Sequence, residues 1–534
     1  MAKRFNDVGV CIPEIHYMVD MTPQLNQIKE YVDAGEYFVI NRGRQYGKTT
    51  TLRSLKKLLQ EEYLVIALDF QVLGAASFDN ENRFSLTFGD YFLETILTEA
   101  LPLMANLEEA LSHLRDTIEK EGENFLLFNL FRQLSKICEL SDKSIVLMID
   151  EVDNASNNQI FLDFLAQLRG YYLSRFDKAT FHSVILASVH DIRNLRIKLR
   201  PNEERRLNSP WNIAASFDVD ISLSIEGIHG MLTEYEKDHH TKMNLEEIAT
   251  LIYEHTSGYP YLVSVLCKIM DETIFGSKGF PTPETTWTKD GFLAAVRLLL
   301  NEKNALFESL AGKITDFPEF QSMLLSILFT GKAISYSMFD PVIDLATMYG
   351  FIQNKDGYVV IANRIFEMIL YNMLLSTKEL QRSDIYKASL QDTNQFIQHG
   401  YLNMRLVLEK FVAHFHELYG DCDEKFIEED GRKYFLLYLK PIINGIGNYY
   451  VESRTRDLKR TDVIVDYHGQ QYIIEMKIWR GDEYKQRGRE QLLGYLDDYR
   501  QDTGYMLSFN FNKHKKVGVH EINIDGKKII EAVV

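Results

Sequence analysis

Short apolar runs alternate with longer amphipathic stretches through about the first 225 residues of the chain. Apolar runs of this kind predict strands that are buried on both faces. The stretches between them, such as Thr49–Leu59 and Phe125–Cys138, have the spacing of helices that pack on a sheet. The pattern predicts an α/β fold with a mainly parallel sheet. The predicted strands are Tyr37–Asn41, Leu64–Phe70, Ser144–Ile149, Val184–Ser188 and Val219–Leu223.

The remaining chain divides into three further patterns. Residues 226–315 are helical throughout, which predicts a lid, and residues 316–390 combine helices with strand-like runs around Asp356-Gly357. An Asp-Gly pair between strands predicts a hairpin, and hence a winged-helix-like module. That fold binds DNA in some proteins and only packs in others, so we assign it no function. The predicted domains are 1–225, 226–315, 316–390 and 391–534.

The last domain has the predicted order α-β-β-β-α-β. Its first helices are expected at 391–418 and 424–443. The predicted strands are Tyr449–Thr455, Asp462–Asp466, Tyr472–Ile478 and Tyr505–Asn510, with a helix at Arg489–Arg500 before the last strand.

Composition narrows the class of protein. The 534 residues are too many for one core, and no apolar stretch approaches the roughly 18 residues of a membrane helix. The N-terminal MAKRFNDVGV has no apolar signal core. Four widely spaced cysteines argue against a disulfide framework and a cysteine zinc site. We therefore expect a cytoplasmic protein that does not bind membranes. The cysteines are Cys11, Cys138, Cys267 and Cys422.

Charge is distributed unevenly. The chain carries a net charge of −17, which argues against a general nucleic-acid coat, but residues 451–534 hold 15 Lys and Arg against 14 Asp and Glu. A local basic cluster on an acidic body fits a module that contacts DNA. It fits a solvated charged face equally well. The cluster is Arg454, Arg456, Lys459 and Arg460.

The stretch NRGRQYGKTTTL, residues 41–52, ends like a phosphate-binding loop but begins differently. The loop pattern is Gly, four residues, then Gly-Lys-Ser/Thr. Arg42 occupies the first glycine position and Gly43 comes one place late. Gly47 lets the backbone approach phosphate, Lys48 supplies positive charge, and Thr49 supplies a hydroxyl for Mg²⁺. A bare Gly-Lys-Thr also occurs by chance.

A second motif, SIVLMIDE, ends the third predicted strand in Asp150 and Glu151. Asp150 fits a ligand of the Mg²⁺ water shell, and Glu151 fits a general base for an attacking water. Solvated acids often end strands, but ligands of open α/β sheets gather at the carboxyl ends of strands, where both motifs lie. We predict an ATP and Mg²⁺ site. Its predicted nucleotide-binding residues are Arg44, Gln45, Tyr46, Gly47, Lys48, Thr49, Thr50 and Asp150, and its predicted metal ligands are Thr49 and Asp150.

Three segments, Tyr17–Thr22, Tyr37–Thr50 and Asp69–Gln71, resemble the AAA-ATPase-like proteins of bacteria. Those proteins carry a degenerate phosphate loop of the form R-x-R-x-[FY]-G-K-[ST], which residues 42–49 match. The resemblance implies that Ser183–Asp191 is the fourth strand, with a sensor-type residue at its polar end, Ser188 or His190. It also implies that Gly258-Tyr259-Pro260 approaches the nucleotide from the lid. Candidate arginine fingers, which the sequence does not rank, are Arg193, Arg196, Arg205 and Arg206.

The C-terminal domain has its own candidate site. Asp462 opens one predicted strand, and Glu475 and Lys477 lie on the same face of the next, joined through His468-Gly469-Gln470. Two carboxylates and an ammonium at one point would bind Mg²⁺ and orient a water for phosphodiester attack. A Glu-x-Lys pair alone is more often a solvated strand edge.

The helix that follows changes this balance. Gln491 and Tyr495 resemble the Q-x-x-x-Y motif in one branch of the PD-(D/E)xK nuclease superfamily. The resemblance implies catalytic roles for Asp462, Glu475, Lys477 and Gln491, with Asp462 and Glu475 as metal ligands. It also implies a further carboxylate from the first helix, Glu428 or Glu429. Thr461 stands where the motif has proline.

The leading hypothesis is an ATP-binding, ATP-hydrolysing protein coupled to a Mg²⁺-dependent nuclease-like domain that acts on DNA. Its architecture suggests defence against foreign DNA or a mobile-element function. Two alternatives stay open: a nucleotide switch that gates a partner protein through an inert nuclease fold, and an ATP-dependent DNA-binding protein without cleavage. Homo-oligomer formation is also open.

Overall fold

Four of the five predicted apolar runs form one parallel sheet in the computed structural model of the chain. The strands are β1 (Tyr37–Asn41), β2 (Leu64–Asp69), β3 (Ile145–Asp150) and β4 (Ser183–Ser188), in the order β1-β4-β3-β2. The structure describes residues 3–99, 105–155, 158–189, 192, 211–330, 333–376, 382–391, 395–398, 400–419, 428–443, 447–451, 462–467, 470–478, 482–498, 501–510 and 515–534.

Alternate residues of these strands enter two different cores. Phe38 and Ile40 of β1 pack with the helices on one face, whereas Tyr37 and Val39 pack on the other. Because both faces are covered, nearly every residue of the strands is buried, which explains the unbroken apolar runs. The helices of the first face are α1 (Thr22–Asp33) and α2 (Lys48–Leu59), and those of the second are α3 (Glu81–Glu99), α4 (Ala105–Glu121), α5 (Leu127–Leu140) and α6 (Gln159–Leu173).

The prediction of a strand at Val219–Leu223 is wrong. This segment is described and forms no strand, although Val219, Ile221 and Leu223 are buried in alternation. The only bridge that links this region to β1 in the described chain joins Phe38 and Ala215. Val219 and Ile221 pack on the core of the first face. The apolar spacing therefore indicated burial correctly but wrongly predicted the hydrogen bonds of a strand.

The chain divides into two compact units. The first contains residues 1–231, 259–261 and 348–350, and the second contains the rest. The helices that follow the sheet are α7 (Ile225–His239), α8 (Leu245–Thr256), α9 (Pro260–Ile269), α10 (Pro283–Thr286), α11 (Lys289–Asn301), α12 (Ala305–Asp316), α13 (Pro318–Leu325), α14 (Pro341–Met348) and α15 (Arg364–Leu374). The helices α9 and α13 continue as π-helical turns, at Met270–Ile274 and Ser326–Thr330.

The hairpin predicted around Asp356-Gly357 is present. Its strands are β5 (Ile352–Lys355) and β6 (Tyr358–Ile361), between α14 and α15. Asp356 and Gly357 both have positive φ, at 53° and 85°. Two left-handed residues match the right-handed twist of the flanking strands, which is why Asp-Gly is a strong hairpin signal.

The second unit contains a six-stranded mixed sheet. Its strands are β9 (Gly447–Val451), β10 (Asp462–Tyr467), β11 (Gln470–Ile478), β12 (Thr503–Phe509), β13 (Gly518–Ile524) and β14 (Lys527–Val533). The helices of this region are α16 (Asp384–Gln391), α17 (Met404–Tyr419), α18 (Glu428–Ile443) and α19 (Asp482–Asp498). The strand order in the sheet is β13-β14-β12-β11-β10-β9. The strands β9, β10 and β11 are antiparallel, and β11 is connected through helix α19 to the parallel strand β12.

Two features of this region differ from the sequence prediction. The continuous helix expected at 391–418 is interrupted by a small hairpin, β7 (Ile397–Gln398) and β8 (Tyr401–Leu402), which turns at Gly400 with φ of 85°. The hairpin of β13 and β14 was missed, although its turn, Asp525-Gly526, repeats the chemistry of Asp356-Gly357. No helix in the described part of the chain is long and apolar enough to cross a membrane.

Candidate functional sites

The stretch between β1 and α2 forms a loop that wraps toward the first turn of the helix. Gln45 and Gly47 have positive φ, at 56° and 80°, and α2 begins immediately afterwards at Lys48. The first turn of α2 contains no acidic residue, so the positive end of its dipole is not neutralised by its own side chains. This arrangement suits an anion such as phosphate.

Lys48 is the buried charge of this loop, only 7% exposed. Its Nζ donates to the carbonyl oxygens of Arg42 at 3.0 Å and Gly43 at 3.2 Å. Burial lowers the pKa of Lys48, and the nearby carboxylates of Glu151, Asp153 and Asp150 oppose that shift. A phosphate oxygen would offer this ammonium a stronger acceptor than a neutral carbonyl.

The displaced glycine has a structural reason. A Cβ atom at Gly43 would lie 2.5 Å from the carbonyl oxygen of Tyr349, so only glycine fits there. The side chain of Arg42 turns away to the sheet edge, where Nη2 donates to the Val219 carbonyl at 2.7 Å and the guanidinium lies over Phe217. Arg42 therefore binds the segment that contains Phe217 and Val219. Gly43 supplies the small residue that the contact with Tyr349 requires.

The acids after β3 lie beside this loop. The Thr49 hydroxyl donates to Asp150 Oδ2 at 2.6 Å, and Asp150 Oδ1 accepts from the Glu151 N–H at 2.9 Å. Burial raises the pKa of both carboxyls. A hydroxyl and a carboxylate oxygen this close are the hard oxygen ligands that Mg²⁺ takes from a protein when phosphates and waters complete its shell. The residues present fit this ion.

The other predicted nucleotide-binding residues surround the loop. Arg44 and Gln45 are exposed, and Tyr46 packs edge-on against Tyr259, with ring centroids 4.7 Å apart. The Tyr259 hydroxyl donates to the Arg44 carbonyl. Thr50 Oγ1 accepts from the Cys11 N–H at 3.2 Å. The turn that contains Tyr259 thus contacts the phosphate loop, and its approach to the nucleotide stays a prediction.

Two residues near this site were not predicted. Tyr349 approaches Gly43 only through its backbone, for which the sequence carries no signal. Asp153 receives a hydrogen bond from the Ser188 hydroxyl at 2.8 Å. The sequence did carry a signal for Asp153, because it is a third acidic residue two positions after Glu151. The alternative sensor His190 and the candidate arginine fingers lie outside the described residues.

Three of the C-terminal candidate residues, Glu475, Lys477 and Gln491, lie together at the second sheet. The β10–β11 register pairs position 462 with Glu475, which is fully buried. Lys477 Nζ lies 2.6 Å from Glu475 Oε1 and 3.3 Å from Gln491 Oε1. The helix and strand therefore hold Glu475, Lys477 and Gln491 together.

Several predicted residues of this site lie outside the described part of the structure. They are the side chains of Asp462, Glu428 and Glu429, together with Thr461, His468 and the basic cluster from Arg454 to Arg460. Within the described residues, no group of three or more His, Cys, Asp or Glu side chains forms a metal-binding cluster.

A comparison with models of protein families finds a match in the N-terminal part of the chain. Residues 14–278 match the family model of the AAA-like domain. With the parallel sheet and phosphate loop, this match supports a P-loop NTPase fold for the N-terminal part of the chain. No curated protein matches the chain.

Three solved structures are similar to about two thirds of the chain. The Walker-type ATPase PABY2304 of Pyrococcus abyssi has 13% identity and a TM-score of 0.42, covering 66% of this chain and 96% of that one. The ORC2 protein of Aeropyrum pernix, in ADPNP and ADP complexes, has 13% identity and a TM-score of 0.34, covering 66% and 94%. The ORC1 protein of Aeropyrum pernix in complex with DNA has 12% identity and a TM-score of 0.29, covering 66% and 93%.

Replacing Lys48 with alanine should abolish MgATP binding, at a loss of at least about 3 kcal/mol, because the variant lacks the buried ammonium that would pair with the phosphates. Isothermal titration calorimetry measures this. Lys57→Ala is the matched control, since Lys57 lies on the same helix and is exposed. Unchanged binding by Lys48→Ala would show that the loop is not the phosphate site.

Replacing Gly43 with alanine should lower the unfolding free energy by about 1–3 kcal/mol and weaken nucleotide binding, because the new Cβ collides with the Tyr349 carbonyl. Thermal unfolding and calorimetry measure the two effects. Gly74→Ala is the control, since a Cβ there meets nothing within 4 Å. Equal stability of both variants would contradict the close approach at Gly43.

Proposed function

We propose that the protein binds and hydrolyses ATP in its N-terminal domain and couples this to a Mg²⁺-dependent nuclease-like domain that acts on DNA. The observation that carries the ATPase proposal is the meeting of Thr49 and Asp150, 2.6 Å apart, beside the buried Lys48. Residues distant in sequence meet there at the carboxyl end of a parallel sheet, where ligands of such sheets bind.

Each residue has a distinct role in the proposed hydrolysis. Lys48 neutralises the β- and γ-phosphates, while Thr49 and Asp150 hold the metal. When bound, Mg²⁺ would neutralise the charge that develops on the phosphate oxygens. Glu151 accepts a proton from the attacking water, which requires its charged form. The raised pKa of Glu151 makes its carboxylate a stronger proton acceptor than an exposed glutamate.

The topology of the second sheet supports the nuclease proposal. The antiparallel strands β9, β10 and β11, the helix α19 and the parallel strand β12 follow α18 in the α-β-β-β-α-β order of the PD-(D/E)xK nucleases. Positions directly opposite in an antiparallel pair share a face, so the register puts position 462 on the face that carries Glu475 and Lys477. In the proposed reaction, Asp462 and Glu475 hold Mg²⁺, Lys477 orients the water, and Gln491 positions Lys477.

One observation favours the alternative of an inert nuclease fold. Glu475 is fully buried and Lys477 is mostly buried, so their ion pair also serves as a packed structural contact. In that reading ATP binding gates a regulatory protein partner or DNA, and no phosphodiester bond is cleaved. A role in defence against foreign DNA rests on the architecture alone.

Replacing Glu151 with glutamine should preserve MgATP binding and lower the turnover number by about 10²–10⁴-fold, because the amide cannot accept a proton from water. Calorimetry and phosphate release measure the two quantities. Glu61→Gln, an exposed change at the opposite end of the sheet, should match wild type. Undiminished turnover by Glu151→Gln would mean that another residue is the base.

Replacing Asp462 with alanine should eliminate Mg²⁺-dependent cleavage of plasmid and single-stranded DNA without changing ATP binding, because the two proposed sites share no residue. Gel assays of wild type and variant decide this. Equal traces from both would remove the nuclease proposal. DNA binding that survives Asp462→Ala, and that weakens with salt and with loss of Arg454 and Arg456, would favour binding without cleavage.

A further inference from the structure

The turn after β3 is tied to the neighbouring strand by one carboxylate. Asp153 lies in the short 3₁₀ turn Val152–Asn154. It accepts a hydrogen bond from the Ser188 hydroxyl at 2.8 Å and another from the Val189 N–H at 2.6 Å. Both donors lie at the carboxyl end of β4. Hydrogen bonds to a charged acceptor are stronger than those between neutral groups. These two bonds therefore hold the turn strongly against the end of β4.

Glu151 stands just before this turn in an unfavourable conformation. Its φ is 53° and its ψ is 37°, in the left-handed region that costs an L-residue roughly 1–2 kcal/mol. Buried Val152 and Ala155 fix the turn by packing, and the Asn154 N–H donates to the Glu151 carbonyl at 3.2 Å. The Asp153 carboxylate adds a side-chain link to another strand. The direction of the Glu151 side chain therefore depends on how this turn is held.

The other end of the link reaches the phosphate loop. Ser188 is the last residue of β4 and pairs with Asn41 of β1. Its carbonyl accepts from the Arg42 N–H at 3.2 Å, and the Arg42 carbonyl accepts from Lys48 Nζ at 3.0 Å. Three hydrogen bonds, joined through the residues Arg42 and Ser188, thus connect Lys48 with Asp153 in the turn beside Glu151.

We propose that Asp153 is a positioning residue for ATP hydrolysis, which orients Glu151 by fixing its turn to β4 beside the phosphate loop. The inference rests on the proposed role of Glu151 as the general base. In this proposal Asp153 acts through Glu151 and not by contact with the nucleotide or by proton transfer. A displacement of about 1 Å in a catalytic group is enough to slow a reaction by about 100-fold.

The test measures MgATP affinity, turnover and KM for wild type, Asp153→Asn, Asp153→Ala and Ser188→Ala. We expect affinity within about twofold of wild type and turnover about 10- to 100-fold lower in Asp153→Ala. Asp153→Asn should be slowed less, because its amide oxygen still accepts a hydrogen bond. Asp142→Ala is the control, an exposed residue just before the opposite end of β3.

A double variant separates positioning from a general structural effect. If Asp153 acts through Glu151, then Asp153→Ala should not slow the residual hydrolysis of Glu151→Gln any further. A further loss of the same size as in wild type would overturn the inference. So would wild-type turnover in Asp153→Ala, or a loss of ATP affinity as large as that of Lys48→Ala.

Failure of the inference is distinct from failure of the proposed function. If turnover is lost in Glu151→Gln and kept in Asp153→Ala, only the positioning role is rejected. If wild type does not hydrolyse ATP, or if Glu151→Gln turns over normally, the proposed general base is rejected and the role of Asp153 is rejected with it.

Discussion

The burial of the Lys48 ammonium is the constraint on which the N-terminal site depends. A lysine this deeply buried requires oxygen acceptors, since an unpaired charge in a low-dielectric interior is strongly disfavoured. Two loop carbonyls accept from it, and three carboxylates stand near it. The left-handed backbone at Gln45 and Gly47 turns the loop that supplies those carbonyls. The backbone conformation of the loop therefore also provides the acceptors that the buried Lys48 charge requires.

The sequence predicted the sheet well because parallel strands covered on both faces must be apolar throughout. It failed at Val219–Leu223, where alternate burial arises from packing without a ladder of hydrogen bonds. It failed again near Gly400, where a two-residue strand is too short to leave a periodic pattern. The hairpin at Asp525-Gly526 is a different case, because its turn signal was present and was not used.

Some residues of the candidate sites could be predicted from the sequence, and others could not. Residues whose chemistry is local, such as Lys48 and Asp150, could be chosen from motif and spacing. The reason for Gly43 could not, because it is the backbone of Tyr349, a residue distant in sequence. Asp153 was missed because its partners, Ser188 and Val189, come from another strand. In the C-terminal sheet, strand alternation placed Glu475 and Lys477 on one face, but only tertiary packing could show that α19 delivers Gln491 to Lys477.

The central claim is that triphosphate replaces the loop carbonyls as the partner of Lys48 while Thr49 and Asp150 hold the metal. A crystal structure of the protein with Mg²⁺ and a non-hydrolysable ATP analogue tests it most directly. The account predicts that Lys48 Nζ lies within hydrogen-bonding distance of β- and γ-phosphate oxygens, with Mg²⁺ bound by Thr49 and, directly or through water, by Asp150. A nucleotide bound elsewhere, with Lys48 still donating to Arg42 and Gly43, would contradict it.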